Sequence, residues 1–505
     1  MSTAENKIAW VRDEEAPLLP APANMAGIVG WARKNLFSSI GNTILTFLGI
    51  AFIIWFAWGT VVWALFRATF FGDNREACVV GQAEGKALGA CWPYVWAKFH
   101  QFIYGFYPFD QRWRVNICFI AGAGALVPML IPKVPFKKWN ALFLIVVYPL
   151  MTFVLLTGGR ISFSQDTLWG ILGVLLLTAT LVPLLGLGIE DGAKRNRLGL
   201  GLAALALAVW LLSLFVPTPE VYPGTLTLSM LGVIAIALLA AAAAVSLWQA
   251  AMVRDPAVSS AFVMWAGVWA AIIAAIMLIT FDFGLVPVET QQWGGLLVTL
   301  VVAVTGIVAS LPLGILLALG RRSKLPIVRL FSIVFIEVWR GVPLITVLFM
   351  ASIMLPLFMP EGTNFDKLLR ALVGTALFSA AYMAETVRGG LQAIPTGQYE
   401  AAKALGLSFW KMMGLIVLPQ ALKIVIPGIV NSFISLFKDT TLVAIIGLFD
   451  LLGIVNAGFA DPKWASPQTG QTGYFVAAMI FWTFCFSMSR YSIFMERRLA
   501  TGHKR

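Results

Sequence analysis

About twelve apolar stretches, each long enough to cross a lipid bilayer at about 17–25 residues per crossing, set the terms for this chain. They fall at about 41–66, 115–132, 141–157, 168–188, 198–216, 225–248 and 259–281, and then at about 293–319, 341–358, 368–386, 420–446 and 472–495. In hydrocarbon every backbone N–H and C=O must be satisfied within the chain, so apolar segments of this length fold as α-helices. Composition agrees. With 59% hydrophobic and 12% charged residues and a mean hydropathy of +0.85, the 505 residues carry too few charges to coat a soluble domain. The expected class is an all-α polytopic membrane protein surrounded by lipid. A net charge of +12 would point to nucleic acid in a soluble chain, but here it reads as Lys and Arg gathered in loops on one side. No nucleic-acid partner is expected.

Those cations orient the chain. Arg33 and Lys34 precede the first span. Lys133, Lys137 and Lys138, then Lys194, Arg195 and Arg197, then Arg321, Arg322 and Lys324, then Arg388 and Lys403, and finally Arg497, Arg498, Lys504 and Arg505 all fall in cytoplasmic loops on one count. Both termini are then cytoplasmic. Residues 1–24 mix charges with APLLPAPAN and hold no apolar core, so residues 1–40 read as a cytoplasmic tail rather than a cleavable signal. A boundary is expected near 282–292, where acids and Pro precede Trp293. Residues 41–281 form an extension of about seven spans with a long outer loop at 67–114, and residues 293–495 form a core. Residues 387–419 make a cytoplasmic loop of that core, and 496–505 a basic tail.

After the boundary the membrane segments contain Glu337, Arg340, Glu385, Lys438 and Asp439, and an ionisable residue in or near a span marks function more often than packing. Glu337 and Arg340, and likewise Glu385 and Arg388, stand three apart and can neutralise each other on one helix face, a structural role preferred over substrate contact. Lys438-Asp439-Thr440-Thr441 interrupts an apolar run from about Leu422 to Phe449, longer than one upright crossing at about 1.5 Å per residue. A break is expected there. The exposed backbone of a broken helix suits the two ends of a small ligand, with Asp439 facing an ammonium and Lys438 a carboxylate. The competing reading has the two charges pairing with each other or snorkelling. Pro419, Pro427 and Gly428 add a candidate bend. Cys78 and Cys91 share the outer loop and are a candidate disulfide if that loop meets an oxidising compartment; with only His100 nearby, a metal site is not expected.

The stretch Glu400–Pro419, EAAKALGLSFWKMMGLIVLP, opens with helix formers that Gly406 interrupts, and Leu407, Trp410 and Met413 recur at helical spacing. Two fates suit such a helix: lying in the headgroups, or docking into a groove on a soluble partner. The pattern EAA, three residues, Gly406, nine residues, Ile416, one residue, Leu418-Pro419 resembles the EAA signature of permease subunits of bacterial ABC importers. Flanking stretches are similar to the polar amino-acid (His/Glu/Gln/Arg) branch: TQQWGGLLVTL at 290–300, FIEVWRGVPLITVLF around Glu337, Ala381–Leu407, and NSFISLFKDTTL from Asn431. Within it, the larger permease subunit of general L-amino-acid systems also carries extra N-terminal helices.

The resemblance implies a type I importer transmembrane domain of about five core helices in a bacterial inner membrane. It implies a coupling helix at Glu400, Ala401, Ala402, Gly406 and Leu407, with Gly406 turning the chain after it, and a path near Lys438–Thr441. The expected partners are a dimer of ATPase subunits that bind ATP and Mg, a second related permease and a periplasmic amino-acid-binding protein. The chain itself lacks a GxxxxGK[ST] loop, HExxH and CxxC, so it is expected to be a transport subunit without cofactor, not an enzyme. The alternative, an ion-coupled secondary transporter using Asp439, predicts an internal repeat, whereas the two halves differ in polarity and motifs.

Overall fold

The structure, a computed structural model, describes residues 27–79, 87–131, 133–159, 197–213, 215–216, 219–221, 228–252, 283–358 and 366–499. The expected spans at 168–188 and 259–281 and the outermost tail residues lie outside them. Seven helices among the described residues are long and apolar enough to cross a membrane, eight if one bent pair counts as a single crossing. The strands are a two-residue antiparallel pair, Glu220–Val221 with Leu228–Ser229.

The chain divides into two compact units. The first holds residues up to Tyr94 together with Lys463–Thr472. Its long helix α1, Ile40–Val61, starts where the Ser39 side chain accepts from the Asn42 N–H. No α1 side chain is buried, as befits a helix whose solvent is lipid. In the outer loop the Cys78 and Cys91 sulfurs are bonded, both residues are buried, and the Thr69 backbone pairs on either side of Cys91. Closing a loop of 13 residues removes unfolded-state freedom worth about 3 kcal/mol.

The second unit holds Val95–Pro462 and Gly473–Arg505. It contains most of α2, Trp92–Tyr104, then α3, Arg112–Leu130, and α4, Tyr148–Thr157. The sequence boundary near 282–292 is therefore no boundary in packing: residues on both sides of it belong to one unit. The helices Arg197–Ser213 and Met230–Met252, shorter than the spans expected there, pack on each other through Ala203, Ala206, Ala235 and Leu239.

The centre of this unit is a pair of 27-residue helices, α5 (Gly295–Arg321) and α8 (Lys367–Ala393). They start together, where Thr290 donates to Asp366, and end together, where Arg322 donates to the Leu391 carbonyl, so they run parallel. Between them the chain passes through α6 (Pro326–Gly341) and α7 (Leu344–Phe349), which meet at a bend of 103°. The apolar stretch read at 341–358 begins at this bend. Val342-Pro343 is the cause, because the residue before Pro is driven out of the helical region and Val342 is extended. Next come α9 (Thr396–Ala404), α10 (Phe409–Met412), α11 (Leu418–Ile424) and α12 (Ile426–Asp439), then α13 (Leu451–Gly458) and α14 (Pro467–Leu499).

Small residues line the α5–α8 contact. Gly306 sits against Leu436 and Thr375, and Gly314 against Met383 and Ala384, while Ala303, Ala380, Ala381 and Ala384 are buried. Lipid offers no hydrophobic drive between helices, so close van der Waals packing at such positions holds them together. A Cβ at Gly314 would come within 2.7 Å of Met383 side-chain atoms and 3.0 Å of the Ala384 nitrogen. Replacing Gly314 with Leu is therefore expected to cost about 1–3 kcal/mol or more. A detergent-solubilised Gly314→Leu protein with an unchanged thermal midpoint would contradict this packing.

Candidate functional site

Helix α9 is shaped by its ends. Ile394 precedes Pro395 and is extended, which terminates α8 and lets Thr396 begin a new nine-residue helix. Glu400-Ala401-Ala402 thus lies in the second turn of α9 rather than at its start. At the other end Gly406 has φ +69°, its N–H donates to the Lys403 carbonyl (2.9 Å), and the Leu407 N–H donates to the Ala402 carbonyl (3.2 Å). This paired closure requires a left-handed residue, which explains a glycine four places after Ala402. Leu407 then leaves the helix, so it shares no helical face with Trp410 and Met413 as the spacing suggested. Trp410 is exposed and Met413 buried.

Ala402 is buried in a cluster with Leu391, Ile394, Met412, Met413, Val417 and Ala421, and Leu407 packs against it. Glu400, Ala401 and Leu405 are exposed. Two side chains fasten the helix. Arg322 Nη1 donates to the Tyr399 hydroxyl (2.8 Å) and its guanidinium stands 5.1 Å from the centre of that ring. Tyr399 in turn donates to the Leu391 carbonyl (3.0 Å), one of the acceptors left open in the last turn of α8. On the far flank Gln420 Nε2 donates to Gln398 Oε1 (3.2 Å).

Beside this elbow five charges converge. Arg321 pairs with Glu337 (3.0 Å), and Arg321 and Arg340 each lie 3.7 Å from Glu385. Arg388 Nε donates to Glu385 Oε1 at 2.8 Å, with Nη2 of the same side chain also donating. The expected Glu385–Arg388 pair is present. Glu337 and Arg340 do not pair with each other: Glu337 reaches across to α5 and Arg340 to α8, where it also faces the Tyr382 ring at 5.8 Å. Tertiary neighbours closer than the i,i+3 partner explain the difference. The cluster therefore joins α5, α6 and α8.

At Lys438–Thr441 the helix does not break. It tightens from α at Asp439 to 3₁₀ over Thr440–Ile446, and the irregularity expected there lies upstream at Val425, just before Pro427. The Thr440 hydroxyl donates to the Phe437 carbonyl (2.8 Å) and Thr441 to Lys438 (2.9 Å). Their protons are committed, and their oxygens can still accept. Lys438 is exposed and Asp439 half-buried; among the described residues neither side chain makes a hydrogen bond or an ion pair. The 3₁₀ turn ends at Gly447, φ +77°, and leads to Asp450. Fully buried Asp450 caps α13 by accepting from Leu452 (3.1 Å) and Gly453 (2.9 Å), and the Thr299 hydroxyl accepts from Leu451 (3.0 Å).

The sequence pattern described as "binding-protein-dependent transport system inner membrane component" matches residues 310–501, which include the charge cluster, the α9 elbow and Lys438–Thr441. The inner membrane amino-acid ABC transporter permease protein YhdY of Escherichia coli (strain K12) is 40% identical over 96% of this chain and 97% of its own length. The chain belongs to the permease subunits of amino-acid ABC transporters. A second relative, the glutamate/glutamine/aspartate/asparagine transport system permease protein BztC of Rhodobacter capsulatus, is 40% identical over 98% of this chain and 99% of its own. Both alignments run through the N-terminal extension, so the permease shares it with these relatives. Among solved structures, a crystal structure of an amino acid ABC transporter with histidines overlaps 40% of this chain and 92% of that chain at 29% identity, with a TM-score of 0.36. The permease is a transport subunit of an inner membrane importer and not an enzyme.

Arg321, Arg322, Tyr399 and Asp450 carry geometry that reading the sequence missed. The arginines served only to orient the chain. Asp450 had a readable signal, since an Asp ahead of Leu-Leu-Gly-Ile-Val is a helix N-cap pattern. Burial pushes the Asp450 carboxyl up to about 6, partly offset by the N–H groups of Gly453 and Leu452. A carboxyl whose folded pKa lies above its unfolded value favours the fold below about pH 3.9, and that contribution disappears as pH rises through the folded pKa. Asp450→Asn keeps the acceptor without the titration. Its thermal midpoint is expected to equal the parent's at the acid end and exceed it above the folded pKa; equal midpoints throughout would show that the group does not titrate as described.

Proposed function

We propose that this permease works by transmitting ATP-driven movement through the α9 elbow to a path that passes Lys438 and Asp439. The observation carrying this reading is the elbow itself: a nine-residue helix fixed on one face by buried Ala402, tied to α5 and α8 through Arg322, Tyr399 and Leu391, and presenting Glu400, Ala401 and Leu405 outward. A rigid element that is anchored behind and open in front suits a groove on a soluble partner. In this reading the partner is a dimer of ATPase subunits, which bind ATP and Mg on their own chains. A periplasmic amino-acid-binding protein delivers substrate to the opposite face, and a second related permease completes the path.

The core uses five crossings, α5, the bent pair α6–α7, α8, the α11–α12 segment and α14. The 505 residues make about twelve in all, with both termini in the cytoplasm. The bonded Cys78 and Cys91 support an outer location for the 67–114 loop, because disulfides persist in oxidising compartments. The substrates for which the Rhodobacter relative is named favour glutamate, glutamine and their shorter homologues as the first compounds to test. Asp439 and Lys438 suit the ammonium and carboxylate that all of these share, with the Thr440 and Thr441 oxygens as further acceptors. No observation favours an ion-coupled carrier.

Proline cannot adopt φ +69° and would also remove the Gly406 N–H that donates to Lys403. With about 1–2 kcal/mol of strain and a lost hydrogen bond, Gly406→Pro is expected to cut uptake in proteoliposomes by roughly tenfold or more while the ATPase keeps its basal turnover. Unchanged uptake would remove the elbow from coupling. For the path, Asp439→Asn is expected to raise the substrate concentration at half-maximal uptake by roughly tenfold, the loss of one charge-assisted contact. Identical uptake and substrate range would place Asp439 outside the path.

A further inference from the structure

We infer that residues 95–159 of the N-terminal extension are a fixed buttress of the transport core, which holds the Gly295 end of α5 and the turn after the path helix as one body throughout the transport cycle.

Three chain segments meet there backbone to backbone. Gly105, φ +64°, pairs antiparallel with Trp293, and a Cβ on it would strike the Gly294 backbone. A Cβ on Gly295, φ +63°, would strike the Phe102 carbonyl. The Gly295 N–H donates to the Phe449 carbonyl (2.9 Å), and Phe106 packs edge-on against the Phe449 ring with centroids 5.6 Å apart. Phe449 and Asp450 directly follow the 3₁₀ turn that begins after Asp439, so the extension holds the end of the path helix.

A second set of contacts grips the segment entering the core. Arg114, 1% exposed, donates to the Val286 carbonyl (2.8 Å), and the Val288 N–H donates to the Thr157 carbonyl (3.0 Å). Gly158 lies against the Val286 and Pro287 backbone. Tyr107 donates to the Leu156 carbonyl (3.0 Å); burial pushes its hydroxyl up to about 12, so it remains a donor.

The opposite end of α5 is built differently. There buried Ala318 and Leu319 pack among Met383, Val387 and Leu391, and alongside them the partly exposed guanidinium and carboxylate groups of Arg321, Glu337, Arg340 and Glu385 stand 3.0–3.7 Å apart. Ion pairs bordering water can exchange partners at small cost, whereas interlocked backbones have no rotamers to switch. Rearrangement driven from the elbow is thus taken up among these ion pairs, while the Gly295 end holds together as one body.

The inference rests on the ATP-driven transport reading, and a Phe106→Cys/Phe449→Cys permease in the intact importer tests it separately. Both native rings are partly exposed, and each single-cysteine variant controls for the native thiols. Oxidation is expected to join the pair with and without ATP and to leave glutamate and glutamine uptake within about twofold of the reduced protein. Failure to join, or loss of uptake that a reductant restores, overturns the inference. In the unmodified complex the amides of Val288 and Gly295 are expected to exchange equally slowly with and without ATP and vanadate. An acceleration of about tenfold in either state would overturn it whatever the uptake shows.

Discussion

Where α5 and α8 meet, many buried positions are small, Ala303, Gly306, Ser310 and Gly314 on one and Thr375, Ala380, Ala381 and Ala384 on the other, with Met383 filling the space beside Gly314. In water a stripe of such small side chains would bury too little apolar area to hold two helices together. In lipid, where apolar surface gains nothing by leaving its solvent, short backbone separation and dense packing are what remain. Because α5 and α8 are parallel, their last turns emerge at the same end, and the connection between them must return along α6 and α7. That return makes the 103° bend a topological requirement as well as a local effect of Val342-Pro343.

From this pairing the two ends of the permease acquire different characters. At the Arg321 end, the last turn of α8 leaves the Leu391 carbonyl open, and Tyr399 with Arg322 occupies it. The same end gathers Glu337, Arg340, Glu385 and Arg388 with Arg321, charges that are each incompletely buried and mutually compensating. Lone charges at such depth would be costly; shared among three helices they are stabilised and still able to rearrange. At the Gly295 end, glycines admit backbone contact and Asp450 and Thr299 satisfy the start of α13. The Gly295 end is distinguished by interlocked main chain at Gly105, Gly294 and Gly295, and the Arg321 end by its charge cluster.

Much of this was legible in residues. Apolar length marked the described crossings at 41–66, 115–132, 141–157, 293–319, 368–386 and 472–495, because a bilayer imposes length and backbone satisfaction regardless of neighbours. The spacing from Ala402 to Gly406 marked the elbow, because a left-handed helix end needs its glycine at one position. Less legible were the partners of charges. Helical spacing paired Glu337 with Arg340, but spacing lists only neighbours on the same helix, and Arg321 is 16 residues away. The composition shift near 282–292 suggested a module boundary for the same reason: it records a change of residue type and says nothing of what packs across it.

The sequence by itself determined that this chain is a helical membrane permease, where the α9 elbow ends, and which ionisable residues of its last two hundred or so residues fall in or near apolar segments. These follow from local physics, from bilayer thickness and from the conformational range of single residues. Only the tertiary structure decided that Arg322 and Tyr399 fasten the elbow, that five charges form one cluster, and that Gly105 and Arg114 bind part of the extension to the core. Apart from Glu385–Arg388 and Tyr399–Leu391, those contacts join positions from 16 to 188 residues apart, the longest from Gly105 to Trp293. Distances of that kind are set by how helices pack and by which backbones can touch, and no periodicity along the chain encodes them.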